Sequence, residues 1–266
     1  MGFERAKALL DGTRFSDLRW VAETGSTNAD LHDLVAAEPA RTDPVVLVAD
    51  HQTAGRGRRG RDWQAPPGTS LLMTIALRVD GLDTARRPLL GTALALAVHD
   101  VHPELSVKWP NDLVVTVDVG DPLGYRKVGG LLAESHRVGE GDWVLLGIGL
   151  NVNWPEVPDE LAQVATSLDR VLGRRVDREG LCAEVLAALD RRWLGLVDRA
   201  DLGELLAAYR EASATIGSRV RIELPGSELV GTATGITELG ALDVLDDQGT
   251  RHVVSIGDVV HLRPVR

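Results

Sequence analysis

Four arginines and three glycines fill the seven positions from 55 to 61, in the order Gly-Arg-Gly-Arg-Arg-Gly-Arg. The chain as a whole is acidic, with a formal net charge of −10 over 266 residues, so this cluster opposes the overall charge balance. Guanidinium groups match the geometry of phosphates and carboxylates, and glycines let a backbone fold closely around an anion. The segment therefore predicts an anion-binding loop, with a solvated run of surface charge as the plain alternative.

The glycine spacing of this loop fits two nucleotide-binding templates, but its context excludes both. Positions 55, 57 and 60 match GxGxxG, and positions 55–62 imitate GxxxxGK[ST] with Arg61 and Asp62 in place of the two functional residues. Both templates require a strand before the loop and a helix directly after it. A strand is expected at 44–49, but the prolines and glycine within 62–68 exclude a helix there. The arginines themselves must therefore supply the positive charge.

Two of the three lysines in the chain lie in distinctive segments. Lys108 belongs to Val-Lys-Trp-Pro-Asn-Asp-Leu, and Lys127 belongs to Tyr-Arg-Lys-Val-Gly-Gly-Leu. Because arginine replaces lysine nearly everywhere else, a retained lysine suggests that the position needs a compact point charge.

Composition and charge narrow the class of protein. With 44% hydrophobic and 26% charged residues, the chain has the composition of a globular protein. No apolar run approaches the roughly 20 residues of a membrane span, and the N-terminus has no signal-peptide pattern, so we expect a cytoplasmic protein with no membrane partner. The single cysteine, Cys182, excludes an internal disulfide and fits a packing role. No second basic stripe accompanies the arginine loop, which argues against a nucleic-acid partner.

Hydrophobic periodicity predicts an α/β or α+β fold. Strands are expected at 18–23, 44–49, 70–79 and 143–152, with two more on either side of a turn at 118–124. Helices are expected at 28–37, 87–101, 177–197 and 202–213. The strand at 70–79 is almost continuously apolar and should be buried on both faces.

The composition changes after residue 213. Short β-rich runs at 219–224, 229–234, 241–245, 252–255 and 259–262 are separated by turn signals. We therefore expect two domains, a larger one at 1–214 and a small β-barrel at 215–266.

Four segments, taken together, resemble one enzyme family. In chain order they are Gly-Ser-Thr-Asn at 25–28, Asp-His-Gln-Thr-Ala-Gly at 50–55 continuing through the arginine loop to Trp63, Lys-Trp-Pro-Asn-Asp at 108–112, and Gly-Ile-Gly-Leu-Asn at 147–151. Their order and spacing closely resemble those of biotin protein ligases, and the resemblance extends over essentially the whole chain. The arginine loop combined with the 108–112 segment is highly specific for this family.

The resemblance implies a fold and a reaction. The fold is a mixed, mostly antiparallel sheet flanked by helices, similar to class II aminoacyl-tRNA synthetases and lipoate ligases, with a small C-terminal β-barrel. The reaction has two steps: the biotin carboxylate attacks the α-phosphate of Mg-ATP to give biotinyl-5′-AMP, and a lysine of a carrier protein then attacks the adenylate.

The resemblance also implies roles for individual residues. Lys108 would bridge the biotin carboxylate and the α-phosphate, and Arg58 would share the catalytic role. Residues expected to bind biotin are Ser26, Thr27, Asn28, Gln52, Arg56, Gly57, Arg58, Lys108, Gly130 and Gly149. Residues expected to bind ATP are Arg58, Arg59, Arg61, Trp63, Asn111, Lys127 and Asn151.

The metal is expected to be Mg²⁺ that arrives with ATP, because the sequence has no His/Cys ligand spacing. Asp112 would either hold this ion through water or orient Lys108, and the sequence does not decide between the two.

Several of these residues also have structural interpretations. Ser26 or Thr27 could cap the helix expected at 28–37, and this is compatible with ligand binding because a helix start exposes donors. Trp63 and Trp109 could be ordinary core residues. The sequence therefore leaves both interpretations open at these positions.

The implied partner is the biotin carboxyl carrier domain of an acyl-CoA carboxylase. Family members are monomers or homodimers, and the sequence does not distinguish these states. About seventeen residues precede the first expected strand, too few for the winged-helix domain of repressor members, so we expect no operator binding. Two alternatives remain: a lipoate ligase, whose Arg-Arg-x-x-Gly-Gly motif is imitated only at its start by residues 86–91, and an RNA-binding protein.

Two segments depart from the family pattern. Many members have Lys-Leu-Ala-Gly-Ile-Leu where this chain has Lys-Val-Gly-Gly-Leu-Leu at 127–132, so Gly129 is an additional glycine beside the expected biotin wall. The segment at 116–126 is longer than a tight hairpin. We also expect the arginine loop to become ordered only when ligand binds, since glycine-rich lids are mobile when empty.

Overall fold

The computed structural model of the protein describes residues 3–117, 124–159, 161–193, 202–224, 227–255 and 258–261. The helices in these ranges are α1 (Glu4–Leu9), α2 (Thr27–Ala37), α3 (Pro88–Val101), α4 (Leu168–Leu172), α5 (Arg178–Trp193) and α6 (Leu202–Ala212). The first seven strands are β1 (Leu18–Thr24), β2 (Val45–Gln52), β3 (Ser70–Arg78), β4 (Ser106–Lys108), β5 (Asp112–Thr116), β6 (Tyr125–Val138) and β7 (Gly141–Asn151). Five shorter strands follow: β8 (Arg219–Leu224), β9 (Ser227–Ile236), β10 (Leu242–Asp246), β11 (Arg251–Val254) and β12 (Asp258–His261).

A seven-stranded sheet forms the centre of the molecule, in the order β1-β2-β3-β7-β6-β5-β4. Its neighbouring strands are antiparallel except β1 and β2. The mixed, mostly antiparallel sheet flanked by helices is therefore confirmed. The continuously apolar β3 is buried along its length up to Arg78, because β2 and β7 pair with it and helices cover the sheet.

The two faces of this sheet are covered unequally. Helices α1, α3, α5 and α6 contribute to one large core that also contains Cys182. On the other face α2 alone packs a smaller core, in which Leu31 and Val35 meet Trp143 and Leu145 of β7. Because one short helix covers only part of that face, the rest of it is open to form a cavity.

A second, five-stranded antiparallel sheet follows at the C-terminus, in the order β11-β10-β9-β8-β12. The small β-rich unit expected there is thus present. Trp109 connects it to the large unit, through hydrogen bonds to Thr215 Oγ1 and Gly240 O, and the connecting segment forms a parallel bridge between Ser213 and Val107. The domain boundary at 214/215 stays a prediction.

Several expected boundaries shift. Strand β2 runs on to Gln52, three residues beyond the expected end, because its pairing with β1 continues through His51 and Gln52. The six-residue helix α1 was not expected, since so short an element shows too little periodicity. The turn expected within 118–124 and the end of the helix expected at 177–197 lie largely outside the described residues. Within the described residues, no helix is both long and apolar enough to cross a membrane.

Candidate active site

A cavity of about 720 Å³ lies on the open part of the sheet, beside the start of α2. Of the residues that the sequence analysis assigned to a site, all but Arg59 line it. They are Ser26, Thr27, Asn28, Gln52, Arg56, Gly57, Arg58, Arg61, Trp63, Lys108, Asn111, Asp112, Lys127, Gly130, Gly149 and Asn151. Segments separated by more than one hundred residues therefore meet in one place.

Strand β7 forms the floor of the cavity, and the residues on that face of the strand change from large to small along its length. Side chains alternate along a strand, so residues at every second position share one face. Trp143 and Leu145 fill that face beneath α2, whereas Gly147, Gly149 and Asn151 continue it in the cavity. The two glycines, in place of large apolar residues, leave space beside the strand for Asn28 Oδ1 and for the ring of Trp63, both of which border the cavity.

One end of the cavity carries an uncharged hydrogen-bond network. The Gln52 Oε1 atom lies 2.8 Å from the Thr27 amide nitrogen and 2.9 Å from the Thr27 hydroxyl. The Thr27 and Thr74 hydroxyl oxygens are 2.7 Å apart, and Thr74 donates to Asn28 Oδ1 at 2.6 Å. These groups offer both donors and acceptors to a neutral polar ligand.

The helix-capping interpretation holds only in part. Ser26 is the residue before α2 with an extended backbone, but its side chain makes no capping hydrogen bond. The acceptor for the Thr27 amide comes instead from Gln52 at the end of β2. Gln52 therefore connects the start of the helix to the sheet, and its Nε2 atom is the donor end of the amide.

Glu134 on β6 extends this network away from the cavity. Asn28 Nδ2 donates to Glu134 Oε2 at 2.7 Å. A β-carbon at Gly147 would lie 2.6 Å from Asn28 Oδ1, so glycine there is a condition for the observed position of Asn28.

The other end of the cavity is cationic. Lys108 is only 5% exposed, and its Nζ atom lies 3.7 Å from Asp112 Oδ2. Lys127 Nζ lies 2.6 Å from the other oxygen of the same carboxylate. Two ammonium groups are thus held near one carboxylate in the described part of the chain, at the end of the cavity where an anion could bind.

Tyr125 lies beside this cluster. Lys108 Nζ is 5.2 Å from the centre of the Tyr125 ring, a cation–π distance. Burial and, to a smaller degree, the charge of Asp112 raise the pKa of the Tyr125 hydroxyl. The phenol therefore stays neutral at ordinary pH and does not compensate the two lysines.

The arginine loop folds as a tight hairpin over the cavity. The Gly57 amide donates to Arg61 O at 2.6 Å, and the Trp63 amide donates to Gly55 O at 2.9 Å. A β-carbon at Gly55 would lie 2.5 Å from Trp63 O, so this close approach requires glycine. As expected from the prolines, no helix follows the loop through residue 69.

The loop also has an unusual backbone at Arg59, whose φ of 61° is in the left-handed region. Arg59 is exposed and lies outside the cavity wall, whereas Arg56, Arg58 and Arg61 line it. The loop therefore directs most of its arginines toward the same space as Lys108.

Trp63 connects the loop to the cavity floor. Its ring lies against Gly130 and Gly149, where added β-carbons would be 3.3 and 2.5 Å from ring atoms. Lys127 Nζ is 5.4 Å from the centre of the ring. Among the described residues the buried Nε1 atom of Trp63 has no hydrogen-bond partner, so it is a donor available to a ligand.

Two asparagines line the same region. Asn151 is 2% exposed and donates to Thr166 O at 3.1 Å, while its Oδ1 atom is buried without a partner within the described part of the chain. Asn111 donates to Leu131 O at 2.7 Å, which closes the strand end next to Lys108. An unpaired buried acceptor is costly unless a ligand supplies the donor.

Trp109 is a core residue, 3% exposed, in agreement with its structural interpretation. Its amide donates to Thr215 Oγ1 and its indole to Gly240 O, each at 3.0 Å. The residue next to Lys108 is therefore fixed by the C-terminal sheet. Cys182 is likewise buried, and burial raises the pKa of its thiol to about 12, so it is not an ionised nucleophile.

Sequence reasoning missed Thr74 and Glu134, and it gave no role to Gly147 although the 147–151 segment was identified. Thr74 could have been recognised, because it is a polar residue inside an apolar strand. The roles of Glu134 and Gly147 could not, because they depend on the packing of α2 against the sheet. The C-terminal sheet also contributes Glu223 and Val259 to the cavity wall.

Comparisons with known proteins agree with this geometry. A profile described as "Biotin/lipoate A/B protein ligase family" matches residues 24–151, and one described as "Biotin protein ligase C terminal domain" matches residues 215–262. The chain is 41% identical over 261 residues to biotin–[acetyl-CoA-carboxylase] ligase of Mycobacterium tuberculosis, covering 95% of this chain and 91% of that protein. The corresponding ligase of Paracoccus denitrificans is 31% identical, over 90% of this chain and 98% of that protein.

Among solved structures, the biotin protein ligase from Aquifex aeolicus in complex with biotin and ATP matches with a TM-score of 0.72 and 25% identity. The match covers 94% of this chain and 100% of that chain. Since sequence, profiles and fold agree over nearly the whole length, the chain belongs to the biotin protein ligase family.

Proposed function

We propose that this protein is an AMP-forming ligase that activates biotin with ATP and transfers it to a lysine of a biotin carboxyl carrier protein. The observation that carries the proposal is the polarity of the cavity. An uncharged network around Thr27, Asn28 and Gln52 lies at one end, and Lys108 and Lys127 lie at the other. Biotin has the same polarity, with a neutral ureido ring at one end and a carboxylate at the other.

The ureido ring fits the uncharged end. It has two N–H donors and one carbonyl acceptor, and the lining residues offer both hydroxyl oxygens and amide groups. Ser26, Thr27, Asn28 and Gln52 would make these contacts, and Gly130 and Gly149 would border the bicyclic ring and seat the Trp63 ring beside it. Arg56, Gly57 and Arg58 would cover the valeryl chain.

ATP fits the cationic end of the cavity, where it could also contact Asn151 Oδ1 and Trp63 Nε1. Arg58 and Arg61 line the cavity, and Arg59 on the outer side of the loop would meet the outgoing pyrophosphate. Trp63, Asn111, Lys127 and Asn151 would contact the nucleotide. Within the described ranges Asn151 Oδ1 is a buried acceptor and Trp63 Nε1 a buried donor without a partner, and a nucleotide could satisfy both.

The first step joins two anions, so their repulsion must be cancelled before they can react. A biotin carboxylate oxygen attacks the α-phosphorus, a P–O bond breaks, and pyrophosphate leaves with its electrons. Lys108 and Arg58 would neutralise the charge on the carboxylate and α-phosphate; one preorganised group of this kind contributes about 3 kcal/mol in the transition state. Both side chains line the cavity, which supports this assignment.

Mg²⁺ would enter with the ATP phosphates. Among the described residues no three His, Cys, Asp or Glu side chains are grouped as metal ligands. Asp112, the candidate for a water-mediated contact, is engaged by Lys108 and Lys127. We therefore assign Asp112 to orienting the two lysines, and the ion would supply further charge neutralisation on the phosphates.

In the second step the carrier lysine attacks the carbonyl carbon of biotinyl-5′-AMP, AMP leaves, and the lysine nitrogen loses a proton. The acceptor would be the carrier domain of an acyl-CoA carboxylase, in line with the name of the M. tuberculosis relative. We propose that the reaction takes place in the cytoplasm, where ATP and the carboxylase meet. The small sheet would belong to the site through Glu223 and Val259.

The two alternatives fit the cavity less well. The dithiolane ring of lipoate has no N–H or C=O group, so it would leave the network around Thr27 and Gln52 without partners, which costs roughly 1–3 kcal/mol for each unpaired group. An RNA strand needs an extended basic surface, whereas three of the four loop arginines line one cavity on an acidic protein.

The test is ATP–pyrophosphate exchange by the purified protein with biotin, lipoate or RNA added separately. We expect only biotin to stimulate exchange. We also expect the enzyme supplied with biotin and ATP to biotinylate a biotin carboxyl carrier domain, but not a variant of that domain in which the acceptor lysine is replaced by arginine. Exchange stimulated by lipoate instead of biotin would replace the proposal with the lipoate alternative.

A further inference from the structure

Glu134 is a half-buried carboxylate that contacts the uncharged network without lining the cavity itself. It lies on β6 and accepts a hydrogen bond from Asn28 Nδ2 across the interface with α2. An ionised carboxylate can only accept hydrogen bonds. The amide nitrogen of Asn28 must therefore face Glu134, and its oxygen must face Thr74.

This orientation sets the direction of the next hydrogen bonds. Asn28 Oδ1 has no proton, so the Thr74 hydroxyl must donate to it across 2.6 Å. A threonine hydroxyl has one proton. A proton in the 2.7 Å contact between Thr74 and Thr27 can therefore come only from Thr27.

Thr27 consequently presents an oxygen lone pair to the cavity. Its single proton goes to Thr74 or to Gln52 Oε1, which lie 2.7 and 2.9 Å away, so with either partner the Thr27 oxygen meets a ligand as an acceptor. Gln52 Oε1 keeps the hydrogen bond from the Thr27 amide, so the Nε2 atom, which lies beside Gly55, is the donating end of this side chain. One end of the network thus accepts and the other donates.

We propose that Glu134 is a positioning residue for biotin, which fixes Asn28, Thr74 and Thr27 so that an acceptor meets a ureido N–H. The inference rests on the proposed function. Glu134 acts through its charge, not only as a link between α2 and β6. Glutamine at position 134 would keep the size but could donate as well as accept, so Asn28 could turn over and Thr74 could then donate to Thr27, which would occupy a lone pair that the ligand needs.

Such a reversal weakens binding of the biotin ring in the ground state and the transition state alike, since the ring is remote from Lys108. Loss of uniform binding raises KM and leaves kcat nearly unchanged. A mismatched buried hydrogen bond costs about 1–3 kcal/mol, which corresponds to about a 5- to 150-fold increase in KM for biotin.

The experiment compares wild type with Glu134→Gln, Asn28→Asp, the double variant and the control Glu140→Gln, which makes the same chemical change in the exposed turn after β6. Each protein is assayed for KM and kcat in biotin-dependent pyrophosphate exchange, for biotin Kd by calorimetry, and for Tm. We expect Glu134→Gln to raise KM and Kd for biotin about tenfold or more with kcat within threefold of wild type. Glu140→Gln should match wild type.

Combining Asn28→Asp with Glu134→Gln exchanges the amide and the carboxylate between α2 and β6, and this separates a positioning role of Glu134 from a purely structural one. Asn28→Asp alone places two carboxylates in the 2.7 Å contact and should weaken biotin binding most. In the double variant the new glutamine on β6 can donate to the new aspartate on α2, whose second oxygen still accepts from Thr74. We therefore expect the double variant to recover at least tenfold in Kd over Asn28→Asp.

Two results would overturn the proposal: an unchanged biotin KM in Glu134→Gln, or no recovery in the double variant. If Glu134→Gln does not fold, Thr74→Val interrupts the same chain without removing a charge, and an unchanged KM there would also overturn it. Wild type without any biotin-dependent exchange would instead refute the proposed function, so the two failures are distinguishable.

Discussion

The indole of Trp63 lies directly on Gly149, so that a β-carbon at position 149 would be 2.5 Å from Trp63 Cε2 and 2.7 Å from Nε1. This contact joins the arginine loop to the floor of the sheet. Trp63 is also the residue that closes the hairpin, through its hydrogen bond to Gly55. The position of the loop over the cavity therefore depends on a strand that begins about eighty residues later in the chain.

Gly149→Ala tests this dependence. The added methyl group must displace the Trp63 ring, and overpacking of this kind costs about 1–3 kcal/mol. We expect KM for both biotin and ATP to rise about tenfold or more, because ring and floor line the proposed site. Steady-state pyrophosphate exchange measures both constants.

The matched control for this substitution is Gly235→Ala on β9. A β-carbon at Gly235 meets no atom within 4 Å, so the same chemical change creates no contact there. Equal KM values in Gly149→Ala, Gly235→Ala and wild type would contradict the role of the Trp63–Gly149 contact.

Lys108→Ala should abolish adenylation while the fold persists. The variant removes the buried ammonium group proposed to neutralise the reacting anions, and loss of one such charge lowers the rate about 10²-fold or more. Lys127 still pairs with Asp112 in the variant, so the carboxylate keeps a partner. Exchange kinetics and thermal unfolding measure the two effects, with Lys7→Ala on the exposed face of α1 as the control. Retained biotin-dependent exchange in Lys108→Ala would refute the assignment.

Features that depend on the residues of a single segment were predicted well from the sequence. The apolar run of β3 and the charge of the arginine loop were visible without the fold. The pairing of Ser70 with Asn151, which brings β3 and β7 together, depends on contacts between distant segments and left no local trace. All of the expected site residues except Arg59 line one cavity, but their roles stay predictions.

Dependence on contacts between distant segments also explains why Glu134 and the role of Gly147 were not predicted. Glu134 contacts Asn28 across 106 positions in the chain, and nothing in its neighbours indicates that contact. Gly147 was part of a quoted motif, but its reason for being glycine is the nearby Asn28 oxygen. Sequence patterns therefore identified the residues that meet a ligand more readily than those that hold them in place.

Amide hydrogen exchange should show the arginine loop becoming protected when biotin and ATP bind. In the hairpin only a few backbone hydrogen bonds, such as Gly57 to Arg61, oppose opening, and glycine-rich loops open easily. We expect slower exchange at 55–63 with both substrates present, and unchanged exchange in the buried strand β3 as an internal control. Equal protection of the loop with and without substrates would contradict a ligand-ordered lid.

Trp109→Phe should weaken the connection between Lys108 and the C-terminal sheet. The variant leaves Gly240 O without its indole donor, a loss of about 1–2 kcal/mol that should lower Tm by a few degrees. Because Trp109 is adjacent to Lys108, we also expect a several-fold lower kcat for adenylation.

Trp20→Phe is the control for that variant, since it loses a comparable indole bond to Asp50 far from Lys108. It should lower Tm without changing kcat. Identical kinetics in the two variants would show that Trp109 supports the fold alone.

The stability of the protein should fall as the pH drops below 6.5, partly through His136. Burial lowers the pKa of His136 below its ordinary value of 6.5, the charge of His32 lowers it further, and Glu134 opposes the shift. The rings of His32 and His136 are 4.7 Å apart, and Asp33 is the other charged group beside them. The folded state therefore binds the proton less readily than the unfolded chain.

The direction of the pH effect on stability follows from this difference in proton affinity between the folded and unfolded states. Well above pH 6.5 both states are neutral at His136 and the group has no effect; as the pH falls through 6.5 the unfolded state takes up more protons than the folded state, so unfolding becomes easier. His136→Gln should reduce the fall in Tm between pH 6.5 and 5. Some dependence should remain because burial also lowers the pKa of His102. Asp80 and Asp142 have lowered pKa values and titrate below this window. Thermal unfolding of His136→Gln beside the neighbouring Ser135→Ala measures the effect, and equal slopes in the two variants would exclude His136 as the responsible group.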